Sequence, residues 1–178
     1  MKRWQKILAC LLAVLLLLLL AGFLLPRHAR VKRTLTMRAS PGAVFERIST
    51  LRHWPEWTAW TTHRFPDLTY RFEGPAQGVG ATLIATGKSS GDGTVRLLSA
   101  DPERGVTYEL DFNHGTQRFQ GRLSWEATGP LLRVVWELDA DLGQNPMKRW
   151  GGLFLGNLMG GDMGDGLARL RSQLESPP

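Results

Sequence analysis

Apolar positions follow three different rhythms along the chain. From Ile7 to Leu25, 19 consecutive residues carry no charge and include a single glycine. That run is long enough for a membrane-crossing helix, which needs about 17–25 apolar residues. Between Val31 and Asp141 the rhythm is mostly period two, the signature of strands with one buried face. Val31, Arg33, Leu35 and Met37 share one face of a first strand. Ser40-Pro41 then interrupts it with a helix start, Ser as N-cap and Pro in the first turn. Val44, Phe45, Ile48 and Leu51 fall on one helical face, and a second short helix is expected from about Pro55.

Six further strands follow. Tyr70 and Phe72 alternate with Arg71 and Glu73, and Gly78-Val79-Gly80 opens a strand running to about Thr86. Ser90-Gly91-Asp92-Gly93 is a hairpin turn signal, leading into a strand from Thr94 to Ala100. Val106 to Phe112, Phe119 to Trp125 and Leu132 to Ala140 alternate apolar and polar residues, with turns at His114-Gly115 and Gly129-Pro130. The third rhythm is helical. Trp150, Leu153, Phe154, Leu158, Met163, Leu167 and Leu170 mark one long helix from about Pro146 to Leu174. A meander with one apolar face must be covered, and this helix is the only element long enough. The predicted class is α+β, in the order β-α-α-six strands-α. The expected organisation is a membrane anchor over 1–25, a basic linker over 26–33, a folded domain over 34–174 and a tail over 175–178.

Charge sharpens this division. The 178 residues carry a net charge of +6, which on its own would suggest a nucleic-acid partner. Yet Lys2, Arg3, Lys6, Arg27, Arg30, Lys32 and Arg33 all lie within the first 33 residues, where there is no acid. The folded part is therefore near neutral, and the bases flank the apolar run, where they suit anionic lipid headgroups better than a duplex. No nucleic-acid partner is expected. A secretory signal has a shorter apolar stretch and a small-x-small cleavage site. Here the run ends Phe23-Leu24-Leu25-Pro26-Arg27, so an uncleaved single-pass anchor is expected. Bases on both sides leave the side of the membrane open. The single Cys10 excludes an intrachain disulfide and a cysteine zinc site.

The search for reactive groups returns little. The inward face of the last three strands contains no Asp, Glu, His, Lys or Cys, and offers general acid–base chemistry only the Tyr108 hydroxyl. Glu109, Asp111, Glu137 and Asp139 fall on the opposite face, where Arg118, Arg122 and Arg133 can pair with them across strands. His28, His53, His63 and His114 have no metal-ligand spacing. No metal and no cofactor are expected, and there is no nucleophile elbow or dinucleotide fingerprint. Trp54, Trp57 and Trp60 recur every three residues, either as core or as a candidate pocket entrance. Gly152, Gly156, Gly160 and Gly164 are spaced by four in the last helix, a pattern that fits close packing, dimerisation, a mobile lid or cavity space. Asp162 and Asp165 interrupt the same stretch.

These stretches resemble a known family. Ala39-Ser40-Pro41 with Val44-Phe45, Leu51-Arg52-His53-Trp54-Pro55-Glu56-Trp57 with Trp60, Gly74-Pro75, Gly78-Val79-Gly80-Ala81, Asp141-Leu142-Gly143 and Gly166-Leu167-Ala168-Arg169-Leu170 are similar to the SRPBCC superfamily. The closer resemblance is to its polyketide cyclase/dehydrase subgroup of small bacterial proteins with an N-terminal membrane segment. It implies the helix-grip fold of START and birch-pollen-allergen domains, a curved antiparallel sheet wrapped around the C-terminal helix, located at a bacterial cell membrane. It also implies a cavity for apolar ligands. The residues expected to line it are Tyr70, Phe72, Tyr108, Phe112, Phe119, Trp125, Trp136 and Met159. The leading expectation is membrane-tethered binding of a hydrophobic small molecule or lipid, with no catalytic residue. One alternative is a cyclase or dehydratase using Tyr108, His53, His63 or Asp162. The other is an envelope interaction domain without a ligand.

Overall fold

A computed structural model of the protein describes residues 3–113 and 115–175. His114 and the end of the tail, 176–178, lie outside the described residues. The apolar run forms helix α1 (Arg3–Leu24). Strand β1 (His28–Met37) follows, then α2 (Pro41–Ser49), a short 3-10 turn (Leu51–His53) and α3 (Trp54–Trp57). Six strands come next: β2 (Thr69–Glu73), β3 (Thr82–Thr86), β4 (Gly93–Asp101), β5 (Gly105–Phe112), β6 (Gln117–Thr128) and β7 (Leu131–Asp141). The chain closes with α4 (Pro146–Gly152) and α5 (Leu155–Glu175).

The strands form one antiparallel sheet in the order β1-β7-β6-β5-β4-β3-β2. Consecutive strands pair as hairpins, and β1 returns to the free edge of β7. A register shift between Leu97 and Ser99 in the β4–β5 pairing bends the sheet where an extra residue is accommodated. This is the helix-grip arrangement. The inward faces are those the alternation gave: Val106, Tyr108, Leu110, Phe119, Leu123, Val134, Trp136 and Leu138 are all buried. Ser40 caps α2 by accepting a bond from the Ala43 amide at 3.2 Å, and Val44 and Ile48 turn into the core. Met163, Leu167 and Leu170 of α5 close it from the other side.

Two expectations change. The basic segment 26–33 is not a linker beyond Arg27, because β1 begins at His28, opposite Asp141 of β7. Its cations are used in place: Arg30 meets Asp139 at 3.0 Å and Lys32 meets Glu137 at 3.0 Å. The last helix is two helices. At Leu153 and Phe154 the amides bond three residues back, to Trp150 and Gly151. Gly151-Gly152 just before the break are weak helix formers. At and after this break, Leu153, Phe154 and Leu158 are exposed instead of on the core face.

α1 packs against α4. Gly22 is the buried residue of α1, and a Cβ there would lie 2.7 Å from the Pro146 Cβ. The Trp150 indole donates to the Leu18 carbonyl at 3.0 Å. Arg149, only 4 % exposed, donates to the Phe23 carbonyl at 2.8 Å, the Leu25 carbonyl at 3.3 Å and the Gly143 carbonyl at 3.0 Å. It supplies the positive charge that the last turn of α1 lacks, where the helix dipole and open carbonyls favour a cation.

Candidate functional site: a groove beneath the last two helices

The middle of the space between sheet and α5 is filled with aromatic rings. Trp54 meets Tyr108 edge-on at 5.0 Å and Trp57 at 5.4 Å, and Trp57 meets Trp136 at 5.3 Å. Trp136 donates its indole N–H to the Tyr108 hydroxyl at 2.7 Å, and Trp54 donates to the Ile48 carbonyl at 3.0 Å. The Trp57 N–H is buried without a partner. Burial pushes the Tyr108 phenol above its ordinary value, against the opposing effect of the bond from Trp136. Trp54 and Trp57, expected as core or entrance, are therefore core. Tyr108 and Trp136, expected to line a cavity, fill it with each other.

An opening remains at one end. A groove of about 270 Å³ lies between the ends of β6 and β7 and the α4–α5 pair. Its apolar lining is Phe119, Ala140, Leu142, Leu155 and Leu158, with the bare backbone of Gly151 and Gly152 on the helix side. The volume is close to the lower end of ordinary ligand pockets, about 300–1,000 Å³. Thr116, Gln117, Arg118, Asp141 and Lys148 surround it. Each of the three charged groups has a local partner. Arg118 pairs with Asp111 at 3.3 Å, Lys148 donates to the Thr116 carbonyl at 3.1 Å, and Asp141 accepts from the Gly143 amide at 2.8 Å. Larger hollows lie on the outer face of the sheet, but charged residues such as Arg96, Glu109, Arg122 and Glu137 line them. They do not suit an apolar molecule.

Of the eight residues expected to line a cavity, Phe119 alone lines this groove. Phe112 and Met159 pack against the core from partly buried positions. Tyr70 donates to the Trp60 carbonyl at 2.7 Å, and Trp60 sits edge-on to Phe112 at 4.6 Å. Phe72 lies under the Arg52 guanidinium at 4.7 Å, and Trp125 meets Phe45 at 6.4 Å. Ala140, Leu142, Leu155 and Leu158 were missed as lining residues. Leu142 continues the inward alternation of Leu138 and Ala140, so a signal existed.

The polar candidates are elsewhere. His53 sits among Glu46, Glu56 and Arg47 at 3.3–3.4 Å, and His63 is exposed. Asp162 pairs with Arg64 at 2.6 Å on the surface, and Asp165 is exposed. None of these faces the groove. Among the described residues, no group of three or more His, Cys, Asp or Glu is arranged to hold a metal ion.

The profile of the family described as "Polyketide cyclase / dehydrase and lipid transport" matches residues 28–175. No curated protein matches the chain. Among solved structures, DynU16, a protein of the dynemicin biosynthetic locus, superposes with a TM-score of 0.58 at 15 % identity, covering 83 % of this chain and 48 % of its own. The di-domain ARO/CYC protein StfQ of the steffimycin pathway gives 0.60 at 10 % identity, over 83 % and 51 %. Ara h 8.0201 gives 0.52 at 12 % identity, over 80 % and 98 %. The chain thus spans about half the length of DynU16 and StfQ, and at these identities the likeness is one of fold.

Proposed function

The chain belongs to the polyketide cyclase/dehydrase and lipid transport family of the SRPBCC superfamily, and on that premise we propose that it is a membrane-tethered domain that binds a small hydrophobic molecule or lipid without transforming it. The observation that carries this reading is the groove of Phe119, Ala140, Leu142, Leu155 and Leu158, an apolar surface left open in a domain whose centre is packed. Ligand pockets are mostly apolar with a few placed polar groups, and this groove has that make-up. Binding rather than turnover is supported by the local partners that the charged groups around the groove, Arg118, Asp141 and Lys148, already hold, and by the state of the phenol buried outside it. The inward phenol, Tyr108, is committed to Trp136 and held protonated by burial. The tether is α1, which is long and apolar enough to cross a membrane. Tethering raises the local concentration of a ligand dissolved in the bilayer.

A test is photo-crosslinking of the full chain in vesicles with a diazirine-bearing fatty acid, followed by peptide mapping. Adducts are expected on the peptides that carry Phe119 of β6, Leu142 just after β7 and Leu155 of α5, and Leu155→Lys should remove them. Adducts confined to α1, where bulk lipid surrounds the helix, would overturn the reading. A second reading, an enzyme of cyclase type, has one observation in its favour: Asp141 and Lys148 stand at the groove mouth. Turnover of a polyketide substrate that Asp141→Asn abolishes would establish it.

A further inference from the structure

Outside α1, the exposed large apolar side chains among the described residues are Val79, Leu98, Met147, Leu153, Phe154 and Leu158. Four of these six lie on α4, on α5 or at the turn between them. Phe154 is 60 % exposed and Leu158 69 %, on side chains that a water-facing elbow has no reason to carry so densely. The same elbow is fixed to α1 by Arg149, by Trp150 and by the contact of Pro146 with Gly22.

Resting on the reading of α1 as a membrane span, we infer that the α4–α5 elbow is a second membrane contact, inserted at the interface of the bilayer that α1 crosses. The attachment sets the depth. Trp150 bonds the Leu18 carbonyl, six residues before the end of α1 at Leu24, or about 9 Å along a helix rising 1.5 Å per residue. Interfacial helices bury their apolar face by about 5–10 Å, and tryptophan favours that level. The face of α4 toward α1 therefore lies at the headgroup–acyl boundary, and Met147, Leu153, Phe154 and Leu158 have lipid rather than water to cover them. Lys148 on α4 and Arg27 just after the span are both exposed; beyond their bonds to the Thr116 carbonyl and Gln144, they have further donors for anionic headgroups. Leu158 belongs both to this surface and to the groove lining, so the groove opens toward the acyl region.

The inference is tested by spin labelling of the full chain in vesicles of mixed neutral and anionic phospholipid. Cys10→Ser removes the native thiol. Single cysteines then replace Leu153, Phe154 or Leu158, whose exposure makes the change cheap for the fold. Leu16→Cys reports on the span. Arg104→Cys lies at the opposite end of β5 from α4, some eight residues or about 26 Å away. Collision with oxygen and with a water-soluble nickel complex gives the depth of each label. The expected order is Leu16 deepest, the elbow positions shallower but shielded from nickel, and Arg104 fully accessible. If the Leu16 label is in lipid while the elbow labels behave like Arg104, the inference fails and the span stands. If the Leu16 label is itself in water, the span reading fails and takes the inference with it. Elbow labels shielded from both reagents would mean that protein, such as a second copy, covers the elbow, and would also overturn it.

Discussion

Tyr108 shows how much one interior position decides. Its ring lies over Gly121, its cross-strand partner, so that a Cβ at 121 would meet the ring at 1.9 Å. Gly121→Ala is therefore expected to destabilise the domain by about 1–3 kcal/mol through overpacking, seen as a lower urea midpoint. Tyr108→Phe keeps the ring but orphans the Trp136 N–H, at a cost of about 1–3 kcal/mol for an unsatisfied buried donor. The same residue sets an alkaline limit. Both tyrosines of the chain have their pKa raised by burial. Each stays protonated in the fold while the unfolded chain ionises near pH 10. Their contribution to stability is complete below about pH 10 and falls as pH rises from there toward the folded values. Urea titrations between pH 9 and 11 should show this decline, and Tyr108→Phe should flatten it. Sequence alternation assigned Tyr108 and Trp136 to the inner face. It could not tell a lined cavity from a filled one, because that depends on whether rings from α3 reach across to meet them.

At the scale of elements, the strands were legible and the last helix only half so. Period-two patterning fixed the inner faces of β5, β6 and β7, since a shift of one residue would invert them. The glycines of α5 looked like one stripe, but their surroundings differ. A Cβ at Gly160 would meet the Arg33 guanidinium at 1.9 Å, and Arg33 uses that space to donate to the Gly160 carbonyl at 3.1 Å and the Gly156 carbonyl at 3.3 Å. A Cβ at Gly166 would come within 2.9 Å of Trp136 and 3.3 Å of the Trp57 carbonyl, whereas nothing lies within 4 Å of one at Gly156 or Gly164. Gly156→Ala and Gly164→Ala are thus expected to raise stability by up to about 1 kcal/mol each through helix propensity. Gly166→Ala should lower it, and thermal melts of the three variants would separate the positions. The break before α5 escaped the periodicity because Leu153, Phe154 and Leu158 continue an apolar helical pattern. Those three side chains are exposed, whereas Met163 and Leu167 are buried.

For the whole molecule, the joint between α1 and the domain was invisible in the sequence. Phe23 and Arg149 are 126 positions apart, and a basic residue in an amphipathic helix reads as solvated. The structure buries it against carbonyls of both partners. Arg149→Ala should therefore cost about 1–3 kcal/mol more in the full chain than in a chain lacking residues 1–25, since hydrogen bonds from a charged donor are at stake. Paired melts in detergent with and without α1 would measure the difference.

On the proposed reading of α1 as a membrane span, the shortness of that joint would govern how cargo could travel. Three residues separate Leu24 from His28, a reach of about 10 Å even fully extended. With α1 crossing a membrane as proposed, a domain on so short a leash could not ferry a molecule across the space beside the membrane to a distant acceptor. On that reading, whatever the groove holds would be delivered and collected by neighbours that come to it, and exchange would depend on lateral diffusion within one bilayer.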